Sequence, residues 1–173
     1  METTTKPSTA GIALKWGAIT GLVAIIYNTI LQVTGLALNQ AVSSLAFVIL
    51  IGGIVYGMKE FKTQTGGYMS YGEGLGLGSL LSAVYGLLAS AFGAIYIKYI
   101  DDSTMKKQME IQRQAMEQRG MDDAQIDQAI QMAEKFTGAG SIFVMGLLGS
   151  LLIGFIISLV VAAIMKKERT ELI

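Results

Sequence analysis

The chain alternates between long stretches with no charge and short stretches crowded with charges. No Asp, Glu, Lys or Arg occurs between Lys15 and Lys59, from Gly74 to Ile97, or from Phe136 to Met165. An α-helix rises about 1.5 Å per residue and the hydrocarbon core of a bilayer is about 30 Å thick, so an apolar run of about 20 residues can cross it. The first charge-free stretch holds two crossings, with a polar break at Asn39 and Gln40. The pattern predicts four spans, roughly 16–38, 41–58, 74–97 and 141–165. A break as short as Asn39–Gln40 predicts a tight antiparallel helical hairpin. Residues 59–71 read as a polar loop and residues 1–10 as a flexible N-terminal tail, which leaves 11–173 as a single four-helix membrane domain.

The segment between the third and fourth spans differs in kind. Residues 98–140 carry eight acids and six bases. The stretch "DDSTMKKQMEIQRQAMEQRG" reads as a helix capped by Asp102 or Ser103 and stopped at Gly120. A second helix follows, with Asp122 as N-cap, Gln125 completing a capping box and Met121 placed to staple against Ile126. Ile126, Ala129, Ile130 and Ala133 recur at helical spacing, as do Met105, Met109 and Met116 on its neighbour. The fold class expected is therefore an all-α integral membrane protein. Its four transmembrane helices carry an extramembrane amphipathic helical hairpin, about 101–137, between helices 3 and 4.

Composition narrows the chemistry. Lys and Arg balance Asp and Glu at zero net charge, so no nucleic acid or other polyanion is expected as a partner. The chain has no cysteine and no histidine, which removes disulfides, thiolate chemistry and Cys/His metal sites. Carboxylates and tyrosines are the remaining acid–base groups, and they form no recognisable catalytic constellation. Neither catalytic nor metal residues are assigned, no cofactor is expected, and an enzyme is not expected. Five of the ten methionines fall between Met105 and Met132. Thioethers can bind Cu(I), but without Cys or His nearby they read as flexible core filler. The "GLGLG" run lacks the Lys-Ser/Thr and preceding strand of a phosphate loop.

Small residues recur at four-residue spacing. In the third span they are Gly74, Gly78, Ser82, Gly86 and Ser90, and in the fourth Gly146, Ser150, Gly154, Ser158 and Ala162. Lipid tails are as apolar as Leu, so helices associate in a bilayer largely through close packing at such residues. These stripes predict helix–helix seams, with the third span central; a sliding or gating surface is the other reading. The first span reads Gly17, Gly21, Ala24, Asn28 and Gln32, where small residues give way to polar ones.

Five residues make a candidate polar membrane site: Glu73, Asn28, Gln32, Tyr27 and Tyr85. Ionisable groups within a bilayer often serve transport, which would make Glu73 a proton-coupling carboxylate. In a first helical turn it would instead meet free N–H groups and the positive end of the helix dipole, with Lys15 as an ion-pair partner. Asn28 and Gln32 are one turn apart, with Tyr27 and Tyr85 at similar depth. They read as interhelical hydrogen-bonding groups, or as a small polar pocket.

Taken together, "GGYMSYGEGLGLG", "IYIKYID", "GMDDAQIDQAIQMAEKFT" and "IISLVVAAIMKK" resemble a domain-of-unknown-function family of small bacterial four-span inner-membrane proteins. The likeness covers about Lys15 to Lys167 and implies a bacterial inner membrane. In that family "KYID" is often followed by proline, where this chain has Asp102. The family implies no activity, ligand or catalytic residue. Four spans put both termini on one side, with Lys6, Lys15, Lys59, Lys62, Lys166, Lys167 and Arg169 there. Lys98, Lys106, Lys107, Arg113, Arg119 and Lys135 lie opposite. Lys15 and the closing "KK" flank spans directly, which favours cytoplasmic termini. The function expected is an accessory or assembly role through helix packing and the extracytoplasmic hairpin. The alternative is a small oligomeric transporter or channel for protons or a small solute. The expected partners are the bilayer and either a second copy or another membrane protein.

Overall fold

The computed structural model describes residues 7–168; residues 1–6 of the expected tail, and Arg169, lie outside the described residues. Seven helices follow in order: α1 Thr9–Val33, α2 Gln40–Ser43, α3 Leu45–Gln64, α4 Tyr71–Tyr99, α5 Ser103–Gln118, α6 Asp123–Glu134 and α7 Ala139–Met165. Four helical stretches, Thr9–Val33, Gln40–Gln64, Tyr71–Tyr99 and Ala139–Met165, are long and apolar enough to cross a membrane. The chain is thus an all-α membrane protein, with no strand among the described residues and one isolated bridge between Met69 and Lys167.

The helix ends depart from the charge pattern for local reasons. Ser8 caps α1 by accepting a hydrogen bond from the Gly11 amide, so Thr9 and Ala10 of the expected tail are helical. The helix stops at Val33, before the expected 38, because Gly35 takes a left-handed φ of 72°. Leu36 and Leu38 give this turn an apolar composition that hides it. Asn39 then caps α2, accepting from the amides of Ala41 and Val42. Residues 59–64, expected in a loop, continue α3 as helix, and the loop shrinks to residues 65–70 with Gly66 and Gly67 at positive φ. Gly120, at φ 77°, ends α5, and the Asp122 carboxylate accepts from the Gln125 amide to start α6.

Helix α4 occupies the centre, packed most extensively on α7, then on α1 and α3. Leu50, Ile54, Met58 and Phe61 of α3 meet Leu77 and Leu81 of α4 and Ala162 of α7 in one fully buried cluster, joined by Ile12 and Ala13 of α1. The outside is as apolar as the inside. On α7, Leu152, Phe155, Ile156, Val160 and Ile164 are exposed, Ile164 by 77%, whereas Ser158 is wholly buried. Small polar residues inside and large apolar ones outside suit a hydrocarbon solvent. Helices α5 and α6 lie between α4 and α7 in the chain and touch each other, with Ile126 buried and Arg113 3.4 Å from Asp127.

Candidate functional site: the α4–α7 seam and the interfacial cluster

The stripes of small residues meet in register. Opposite Gly74, Gly78, Gly86, Gly146 and Gly154 stand Ala162, Ser158, Ser150, Ser90 and Ser82 respectively. Each step of four residues up α4 is matched by four down α7, so the helices run antiparallel and glycine faces serine alternately from the two sides. A Cβ added at Gly78 or Gly86 would lie 2.8 Å from the opposing serine Cβ, and one at Gly146 2.9 Å from that of Ser90. The serine hydroxyls turn back along their own helices. Ser82 donates to the Gly78 carbonyl at 2.8 Å, Ser90 to Gly86 at 2.5 Å and Ser158 to Gly154 at 2.6 Å. Ser150 bonds the Leu147 carbonyl at 2.8 Å. Each hydroxyl is satisfied locally, and the serine side chain fills the hollow over a glycine.

Helix α1 joins by a different device. Its own Gly17 and Gly21 rest against Val84 and Leu88 of α4, and Gly53 of α3 receives Thr20. Gly72 and Gly76 of α4 face open space, and the close contact of α1 with α4 is made at the glycines of α1.

Glu73 is engaged at the helix end. Its carboxylate accepts from the Ser70 amide at 2.8 Å and from the Ser70 hydroxyl at 2.9 Å, while the Ser70 hydroxyl accepts from the Glu73 amide at 3.3 Å. This reciprocal capping box satisfies donors that the first turn leaves free. The expected Lys15 partner lies elsewhere. Lys15 bonds both carboxylate oxygens of Glu60, at 3.0 and 2.8 Å, and the Trp16 indole N–H donates to the same group at 2.6 Å.

Glu60, which holds Lys15 and Trp16, is the residue of this cluster that the sequence reading does not single out. It sits in the stretch read as loop, yet that stretch is the last turn of α3, beside Lys15 of α1. The available signal was position: Lys15 and the Lys59–Glu60 pair bound the same charge-free run. Around it, Trp16 stacks on Tyr56 with centroids 5.4 Å apart and planes 14° from parallel. The Lys15 ammonium lies 5.7 Å from the Trp16 centroid and that of Lys59 5.5 Å from the Tyr56 centroid.

The remaining polar candidates are not gathered into one site by hydrogen bonds. Asn28 is exposed, and its amide donates to the Ala24 carbonyl one turn back in its own helix, not to another helix. A single amide can satisfy itself this way because a helix carbonyl retains a second lone pair. The side-chain oxygen of Gln32 is buried without a hydrogen-bond partner. Tyr27 donates to the Val42 carbonyl at 2.6 Å and ties α1 to α2. Tyr85 packs half-buried on the apolar cluster. Outside the apolar helices, a cleft of about 550 Å³ opens among the end of α4, α5 and α6, lined by Ile97, Met105, Met109, Arg113, Ile130 and Glu134 among others.

A central helix wedged between apolar neighbours, with its polar atoms turned inward or spent on caps, defines a multi-pass bundle of the membrane class. Over residues 15–167 the chain matches the family described as protein of unknown function (DUF4199), and it belongs to that family. No curated protein and no solved structure matches it.

Proposed function

We propose that this is a non-enzymatic multi-pass protein of the bacterial inner membrane, with both termini cytoplasmic. It serves an accessory or assembly role through its bundle and through an α5–α6 hairpin projecting on the far side. The observation that carries this reading is what fills the interior. Ile54, Met58, Phe61, Leu77 and Leu81 are fully buried against one another, and the α4–α7 seam is closed by glycine and serine. Small-residue seams of this kind hold a bundle in lipid without any ligand. Glu73, the strongest sequence candidate for proton coupling, is a capping residue. The orientation follows Lys15, Lys59, Lys62, Lys166 and Lys167 at the end that carries the termini.

Flux measurement tests the reading. Reconstituted in proteoliposomes, the full chain is expected to pass protons and small solutes no faster than empty vesicles. A flux that Glu73→Gln abolishes would overturn the proposal in favour of a small transporter. Deletion of residues 103–136 should leave membrane insertion intact and release any protein that co-purifies with the intact chain. Because the chain has no cysteine, Gln64→Cys and Gln118→Cys each create a unique label site. An impermeant maleimide on intact cells should reach only the second.

A further inference from the structure

We propose that Lys15, Trp16, Tyr56, Lys59 and Glu60 form a binding site for the phosphodiester of an anionic phospholipid headgroup. Two elements bring these groups together. Lys15 and Trp16 stand near the start of α1, where its charge-free run begins, and Tyr56, Lys59 and Glu60 stand near the end of α3, where that run closes. Both therefore lie at the level where hydrocarbon gives way to headgroups, the depth at which Trp and Tyr concentrate.

The order of the groups sets the charge. The stacked Trp16–Tyr56 pair is flanked by an ammonium at each end. Glu60 is committed to Lys15, Trp16 and the Gln64 amide. Lys59 is exposed and makes no ion pair among the described residues; its ammonium lies over the Tyr56 ring alone. The cluster thus carries one more positive than negative charge, and the uncompensated one is exposed. A ring face holds an ammonium in place without neutralising it, which leaves its N–H donors for a phosphate oxygen. A zwitterionic headgroup brings its own cation to this site. A phosphodiester without one, as in phosphatidylglycerol, is the better complement.

Trp16 is the sole tryptophan, so its emission reports on this site alone. The full chain is reconstituted in phosphatidylcholine containing a minor fraction of phosphatidylglycerol, with bromine on the acyl chains of one lipid or the other. Brominated phosphatidylglycerol should quench Trp16 beyond random mixing, and brominated phosphatidylcholine should not. Lysine at a membrane surface contributes about 1 kcal/mol toward anionic lipid, so Lys59→Gln should lower the enrichment about fivefold. Lys98→Gln, at the opposite end of α4, should leave it unchanged. Equal quenching by the two lipids, or an enrichment that survives Lys59→Gln, overturns the proposal. Displacement of the lipid by excess inorganic phosphate would assign the site to free phosphate and likewise overturn it.

Discussion

Gly78 of α4 and Ser158 of α7 approach so closely that a single added methyl group has no room between the two helices. The same relation, with the residue types exchanged, joins Gly154 to Ser82 one turn further along. Backbone proximity gained this way strengthens dispersion contacts along the whole seam, and in lipid these contacts supply much of what hydrophobic burial supplies in water.

Gly78→Val should therefore cost about 1–3 kcal/mol, the usual penalty for overpacking a filled interior. Gly76→Ala, on the open side of the same helix, should be neutral or stabilising by up to about 1 kcal/mol through helix propensity. Thermal unfolding in detergent micelles, compared between the two variants, checks the contrast. Equal effects at both positions would mean the seam is not closely packed.

The Lys15–Glu60 pair is partly exposed, with side chains 54% and 23% accessible. Glu60→Gln should consequently destabilise by only about 1 kcal/mol, since exposed ion pairs contribute little. Its larger effect should be optical. The Trp16 indole exchanges a charged acceptor for a neutral amide, so the emission maximum should shift while helicity measured by circular dichroism stays constant.

Ser70→Ala removes one half of the α4 cap and should cost about 1 kcal/mol. Glu73→Gln keeps an acceptor at the third helical position and should cost less, because either residue closes a capping box. Chemical denaturation of the two variants ranks them. A larger loss from Glu73→Gln than from Ser70→Ala would assign the carboxylate charge a role beyond the cap.

Acid should loosen the start of α5. The Ser103 amide and hydroxyl bond the Asp101 carboxylate and hold it below its ordinary value of 3.8, with smaller help from Lys107 and Lys106. A carboxyl depressed by folding stabilises at pH above its unfolded value. That contribution fades as pH falls through the lower folded value. Amide exchange at Ser103 should accordingly quicken below pH about 4 relative to its intrinsic rate, and Asp101→Asn should abolish the change.

Much of this architecture was legible because lipid makes charge a sharp signal. The uncharged runs located all four apolar helices, and spacing set Gly78 and Ser82 on one face of α4 and Gly154 and Ser158 on one face of α7. The register that pairs them was not legible, because it depends on two helices separated by α5 and α6. Residues 59–64 misled because polar composition does not distinguish a loop from a helix that rises out of the membrane. Glu60 was lost with that error. Asn28 was expected to bond across helices. Its own backbone was the nearer acceptor, a competition that periodicity cannot decide. Gln32 keeps a buried unpaired oxygen, and nothing in the fold explains it.

The alternation of residue size along α4 and α7 forbids a neighbouring resting position. A slip by four residues, about 6 Å, would drive Ser82 into Ser158 and Ser90 into Ser150 while leaving Gly86 facing Gly154 across a void. Bumps would meet bumps and hollows would meet hollows, so the pair has no adjacent notch into which it can click. A slide of α4 along α7 by that step would therefore have to open the seam first.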